Sequence, residues 1–302
     1  MSNIFQENVP PKKAVAHIAL FIILSIILLP PVCLARIVNS HSVGTLFADT
    51  IPPRPLDAIS GSEFARRTTG MPGADRQRAA LEELQRGNIP EFIRTLKPVQ
   101  VSFKPAKGEP ITGIIWVMPD YLSIGSDKDF LRIPLTYPSA VKIANAFGFV
   151  LPTQKVVDAI SEQSTFHLKP QPLPPGPKMR SSRYYLRHQK KIEAQLVTCP
   201  PGELISGHKK DIVLTNRLYE KPHRIAIYGW HRRNGQPIQP LSIVHGERYA
   251  DYSHGVRLVS TTIWINGKPR SIFEVLENPA LAKLLNYEGV ISDPRGLMHC
   301  QN

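Results

Sequence analysis

Half of the chain's ten histidines fall between Ser206 and Val259: His208, His223, His231, His245 and His254, alongside Asp211, Glu247, Asp251 and Ser253. An imidazole moves protons near neutral pH or holds a metal, and a neighbouring carboxylate fixes its tautomer. Three arrangements in this stretch could do chemistry. In Ser206-Gly207-His208-Lys209-Lys210-Asp211, a His stands three residues before an Asp at the mouth of a strand. That pair suits two zinc ligands, or a general base and its orienter. The two lysines beside it would repel a cation, so whether a metal is bound is left unknown. In Pro222–His231, two imidazoles bracket an apolar run, Ile225 to Tyr228. In Tyr249–Gly255, an Asp-x-Ser-x-Gly pattern either offers Ser253 to His208, His231 or His245 from across the fold, or makes a hydrogen-bonded turn before a strand, and the turn is favoured. The expected catalytic set is therefore His208 as base or ligand, Asp211 as its orienter, and His231 and His254 as further acid/base or ligand groups. Tyr228, Trp230 and Arg257 are the expected substrate contacts, because rings mixed with polar and cationic groups line binding clefts. Taken singly, each of these histidines is more readily a satisfied structural residue.

These groups need elements to hold them. Ile212–Leu214 and Ile225–Tyr228 are expected strands, and Gly255–Ile265 with the turn Asn266-Gly267 is an expected hairpin strand. Upstream, Ala74–Arg86 has an acid in its first turn and a Gly stop, and is an expected helix. Pro90–Leu96 is expected to form a short turn of helix, Pro being well placed at a helix start. Residues 99–103, 111–118, 121–125 and 129–135 give short strands parted by turns, expected as an antiparallel meander. Ala140, Ile143, Ala144 and Phe147 recur at helical spacing, and a second helix begins near Thr153. Ser182–Leu196 is a basic helix, and 271–285 two short helices broken at Asn278-Pro279, with a tail after them. The whole predicts an α+β fold: a helical N-terminal part and a small antiparallel meander packed with a C-terminal mixed sheet. Lys169–Lys178 carries five prolines and is stiff and extended. It either connects a 61–168 scaffold to a 179–302 His-rich domain or lies as a loop over one continuous domain.

The ends and the charge set the setting. Lys12-Lys13, the apolar run Ala14–Leu29, Pro30-Pro31 and Cys33-Leu34-Ala35 have the layout of a signal peptide. Residues 1–35 are read as that or as a signal anchor, the only part expected to touch a membrane, and 36–60 as a linker. This places the protein outside the cytoplasm, periplasmic or extracellular. The formal charge of +13 suggests an anionic envelope polymer or a small substrate as partner, and export argues against nucleic acid. Cys199 and Cys300 either pair, closing a loop worth roughly 4.7 kcal/mol in the chain-entropy model, or stay free thiols.

Three resemblances follow from these blocks. The His208–Asp211 spacing resembles in part the zinc motif of murein endopeptidases, with Lys where that family has Gly. KKDIVLT and HRIAIYGW resemble a strand pair of the NlpC/P60 papain-like peptidases, which implies His223 as a base. The family's Cys has no counterpart here, since Cys199 is too close to Asp211. SGHKKDIVLTNRLY, IYGWH, PIQPL and DYSHGVRLV are similar, over roughly Ser62–Leu285, to an uncharacterised family of exported bacterial proteins. That resemblance implies export and a shared fold, and no reaction. The expected function is an envelope hydrolase acting on a peptide, amide or glycan bond. The competing expectation is a non-catalytic envelope- or polymer-binding protein.

Overall fold

The structure, a computed structural model, describes residues 49–299. The expected signal segment at 1–35 with its run at 14–29, the first part of the 36–60 linker, and Cys300 with its expected pairing lie outside the described residues. Among the described residues no helix is long and apolar enough to cross a membrane.

The described residues begin with α1 (Gly61–Arg67) and α2 (Gly73–Gln85), and a turn of 3-10 helix at Glu91–Arg94. Then come β1 (Lys97–Phe103), β2 (Ile111–Val117), β3 (Ser123–Ser126) and β4 (Asp129–Arg132). Next are α3 (Tyr137–Ala146), β5 (Phe149–Val150), α4 (Gln154–Gln163) and β6 (Phe166–His167). After the proline-rich segment come α5 (Ser182–Glu193), β7 (Ile205–Ser206), β8 (Lys210–Ile212), α6 (Arg217–Glu220), β9 (Ile227–His231) and β10 (Pro237–Ser242). The chain closes with β11 (His254–Gly255), β12 (Val259–Ile265), β13 (Lys268–Ser271), α7 (Ile272–Glu277) and α8 (Pro294–Leu297). Hydroxyls begin the main helices: Thr136, Thr153 and Ser181 each accept a hydrogen bond from a backbone N–H of the first turn of α3, α4 and α5, satisfying donors that a helix start leaves open.

The fold is α+β, as the sequence predicts. One antiparallel sheet runs β1-β2-β12-β13, with β5 also on β12, and a mixed sheet runs β10-β9-β8-β11, with β11 parallel to β8. The expected meander is split. β1 and β2 pair, and β3 and β4 pair, but the far side of β2 takes β12 and not β3. Pro119-Asp120 turns the chain out of the first sheet, and Tyr121 enters the core instead of continuing it.

Of the two readings of the proline-rich segment, the sheets favour the loop. β2 and β5 precede it, β12 follows it, and all three share one sheet. One apolar core takes in residues from Ile51 to Met298. The second half of the expected linker is packed as well: Ile51 is buried, and the Arg54 guanidinium donates to Asn88 and to the carbonyls of Gly125, Ala58 and Ile59. The expected C-terminal tail is part of the core, with Ile291, Leu297 and Met298 buried.

The strands of the mixed sheet sit two residues away from the apolar runs that predict them. Val213, Leu214, Ile225 and Ala226 are buried. The ladder itself, however, pairs Lys210 with Gly229, Asp211 with Tyr228 and Ile212 with Ile227. Gly255 marks a close approach, since a Cβ there would lie 2.5 Å from the Tyr121 ring.

Candidate functional site

Alternation along β8 decides which groups can meet. Successive side chains face opposite ways, so Lys210 and Asp211 part company. His254 is registered beside Lys210, while Tyr228 is registered beside Asp211. The expected set is divided from the start.

His208 does not meet Asp211. Its Nε2 donates to Asp120 Oδ1 at 2.9 Å, and Asp120 also takes Arg132 Nη2 at 2.6 Å, while Arg132 reaches Glu193 at 2.8 Å on its other side. His208, Asp120 and Arg132 are all buried. Burial alone would raise the Asp120 carboxyl, but Arg132 and then His208 hold it far below the usual range. Burial pushes His208 down to about 4, so its imidazole is neutral at pH 7. Asp211 accepts the Tyr121 hydroxyl at 2.7 Å, and burial, opposed by Arg257, raises its carboxyl to about 6. Arg257 lies over the Tyr121 ring and donates to the carbonyls of Met118 and Ile205, each at 2.8 Å. Lys209 Nζ donates to the Tyr252 carbonyl at 2.6 Å, and burial lowers its ammonium to about 7. This network cross-links the core. Asp211 is not the orienter of His208, and Arg257 spends its donors on the main chain, not on a substrate.

A second group lies with Lys210. Asp251 accepts from Ser253 Oγ at 2.6 Å, from the Ser253 amide at 2.8 Å and from the Tyr249 hydroxyl at 2.9 Å. Ser253 is thus committed to the turn and pairs with no imidazole. His254 is fully buried, and burial lowers it to about 4. His245 stacks on Tyr249 with ring centres 4.1 Å apart. His223 is exposed and 3.3 Å from Glu247, at a separate hollow of about 220 Å³. Trp230 is buried and touches His188 and Tyr252, so it is a core ring and no surface contact.

His231 and Tyr228 line a cavity of about 370 Å³ together with Asp158, Ser161, Glu162, His167 and Arg233. Asp158, Ser161 and Glu162 share one face of α4, at i, i+3 and i+4. Asp158 Oδ1 accepts His231 Nε2 at 2.8 Å and the Tyr228 hydroxyl at 2.8 Å. A carboxylate can only accept, so Nε2 carries the proton and Nδ1 the lone pair. Burial, then Asp158, raises the Tyr228 phenol and keeps it protonated. Tyr287, raised to about 12 mainly by burial, also feels Asp158. His167 Nε2 lies 2.6 Å from the Ser161 carbonyl and donates to it, and the Ser161 hydroxyl is buried with no hydrogen-bond partner in the structure. The backbone is bent to present this edge. Trp230 has φ +55° and Gly229 φ +102°. A bulky residue in the left-handed region is a true outlier, and its cost is of order 1–3 kcal/mol, held in place by the surrounding packing.

Sequence reasoning found His231 and Tyr228 but missed their partner Asp158, and with it Glu162, His167 and Arg233. Asp158 and Glu162 sit four apart, beside the buried stripe Val156, Val157 and Ile160 of a helix read as scaffold. That acidic edge was the available sign. Among the described residues no group of three His, Cys, Asp or Glu side chains could hold a metal ion, so the zinc set considered for His208 and Asp211 does not assemble there. The cavity instead offers an imidazole oriented by a carboxylate, a second carboxylate, and a guanidinium. Compared with family models, curated proteins and solved structures, the chain matches none.

Proposed function

We propose that the protein is an exported cell-envelope hydrolase that cuts a peptide, amide or glycan bond with water activated by His231. The observation that carries this reading is the Asp158–His231 hydrogen bond of 2.8 Å at the wall of a cavity. Asp158 orients the ring and stabilises the imidazolium formed when Nδ1 takes a proton from water, the role a buried carboxylate plays in catalytic triads. The His231 imidazolium then returns that proton to the leaving group, and Arg233 meets negative charge developing on the substrate. No protein nucleophile is needed. Export rests on Lys12-Lys13, the apolar run Ala14–Leu29 and the small residues at Cys33 and Ala35. The substrate would be met outside the cytoplasm, and nucleic acid is not among the partners.

The test is hydrolysis by the purified full chain of panels of peptides, peptidyl amides and envelope glycans, read by mass spectrometry. Asp158→Asn and His231→Ala should each lower kcat by about 10²–10⁴, the range general-base catalysis supplies. His208→Gln, whose ring bonds Asp120 and does not line the cavity, should leave kcat near wild type in folded protein. Hydrolysis that survives in both Asp158→Asn and His231→Ala would end this reading. Absence of any hydrolysis, with tight binding to an envelope polymer, would favour the non-catalytic alternative.

A further inference from the structure

The largest of the three hollows described is not the one that holds the imidazole. About 530 Å³ in volume, it lies between the proline-rich segment and the turn from β9 to β10, lined by Lys169, Pro170, Pro172, Arg232, Arg233 and Ile238, with Asn234. No carboxylate lines it, and Arg233 lines this hollow and the Asp158–His231 cavity alike. We propose that this trough is the binding subsite for a carboxylate-bearing peptide segment, which it delivers to His231. The proposal rests on the reading of the neighbouring cavity as the reaction site, and extends it by naming the substrate class.

Four features support a peptide with acidic side chains. Three cations converge on one hollow with no acid among them, so an anion entering it meets uncompensated positive charge. Arg233 Nε donates to the His167 carbonyl at 3.1 Å. That bond pins the guanidinium while its remaining N–H groups keep the fork that suits a carboxylate. The walls are aliphatic: Pro170, Pro172 and Ile238 suit the methylenes of Glu side chains, and no ring lines the hollow for a sugar to stack on. Finally, Ile238 belongs to β10, an edge strand of the mixed sheet, and an edge strand can pair with an extended peptide. The prolines that read in the sequence as a stiff, extended segment thus form one wall of a binding groove.

The test uses the full chain and three labelled ligands: hexaglutamate, hexaglutamine and an oligogalacturonate of equal charge, with binding read by fluorescence anisotropy at low and moderate salt. Hexaglutamate should bind at least about tenfold tighter than hexaglutamine and weaken with salt. Lys169→Glu and Arg232→Glu, at residues whose exposed charges carry no fold contact, should each weaken it about five- to tenfold, a reversal of one exposed ion pair. Arg183→Glu, exposed on α5 and not among the residues that line the trough, should change it less than twofold. Equal binding of hexaglutamine, an Arg183→Glu loss as large as that of Arg232→Glu, or tighter binding of the galacturonate would each overturn the proposal, the last in favour of a glycan. The two readings fail separately. If trough variants weaken the peptide but His231→Ala leaves hydrolysis intact, the reaction site is wrong and the trough stands. If hydrolysis depends on His231 but Arg232→Glu leaves KM for acidic peptides unchanged, the trough is wrong and the reaction site stands.

Discussion

Three buried histidines should make this protein sensitive to mild acid. Burial holds His208 and His254 down to about 4 and His188 down to about 2, each from an ordinary 6.5. At pH 5 the unfolded chain carries protons on all three, and the folded chain on almost none. Asp211 works the other way: its carboxyl is raised from 3.8 to about 6, so at pH 5 the folded chain holds a proton that the unfolded chain has lost. The unfolded state therefore binds about two more protons, and stability should fall by roughly 3 kcal/mol per pH unit as pH drops through this range. An imidazole whose folded pKa is depressed is neutral in the fold and resists protonation. The loss begins near 6.5, where the unfolded imidazole titrates, and for His208 and His254 levels off near 4. Lys209, lowered to about 7 from 10.5, is charged in both states at pH 5 and adds nothing there. Urea unfolding of the full chain at half-unit steps from pH 7 to 4.5 gives the slope directly. His208→Gln keeps a donor for Asp120 and removes one titrating ring, and should cut the slope by about 1.4 kcal/mol per unit. A stability that stays flat between pH 6.5 and 5 would show that these rings are solvated, and the reasoning fails.

Asp120→Ala should cost about 3–5 kcal/mol, because it strands the buried Arg132 guanidinium; a urea midpoint within error of wild type would contradict this. Gly229→Ala should lower hydrolysis more than it lowers stability: its Cβ would stand 3.3 Å from His231 Cε1 in a residue at φ +102°, so kcat and the thermal midpoint measured on the same sample decide it. Tyr121→Phe removes the donor to Asp211 Oδ2 and should raise that carboxyl further, with a loss of about 1–3 kcal/mol; an Asp211 titration by NMR that does not move upward would count against it.

How much was legible in the sequence follows from what each pattern reports. Helical periodicity found α3 and α4, and the start of α4 was placed at Thr153, where its cap lies. The strand runs Val213-Leu214 and Ile225-Ala226 reported burial correctly. Burial and ladder pairing are different properties, however, and the ladder passes through Lys210 and Asp211, whose polarity hid it. The crowding of histidines along the chain reported proximity in sequence only. Distant partners separate them in space: His208 bonds Asp120, His231 bonds Asp158, and His254 is buried beside Tyr249 and Asp251. The acidic edge of α4 could be seen, but not the partner of Asp158, because the contact that gives it meaning spans 73 residues. No local period encodes a pairing of that length.

The pairing of Val117 with Val259 bears on how the molecule assembles. The first hairpin, β1 with β2, is local and can close early. Its outer edge must wait for a segment 142 positions downstream, and contacts of such span make folding slow. Until that strand arrives, β2 offers an open flank with the apolar Ile115 and Val117 beside it, the kind of surface on which unfinished chains stick to one another. Shortened chains ending before Ile265 should accumulate as aggregates, and a helper that shields β2 during synthesis or transport would raise the yield of the intact protein.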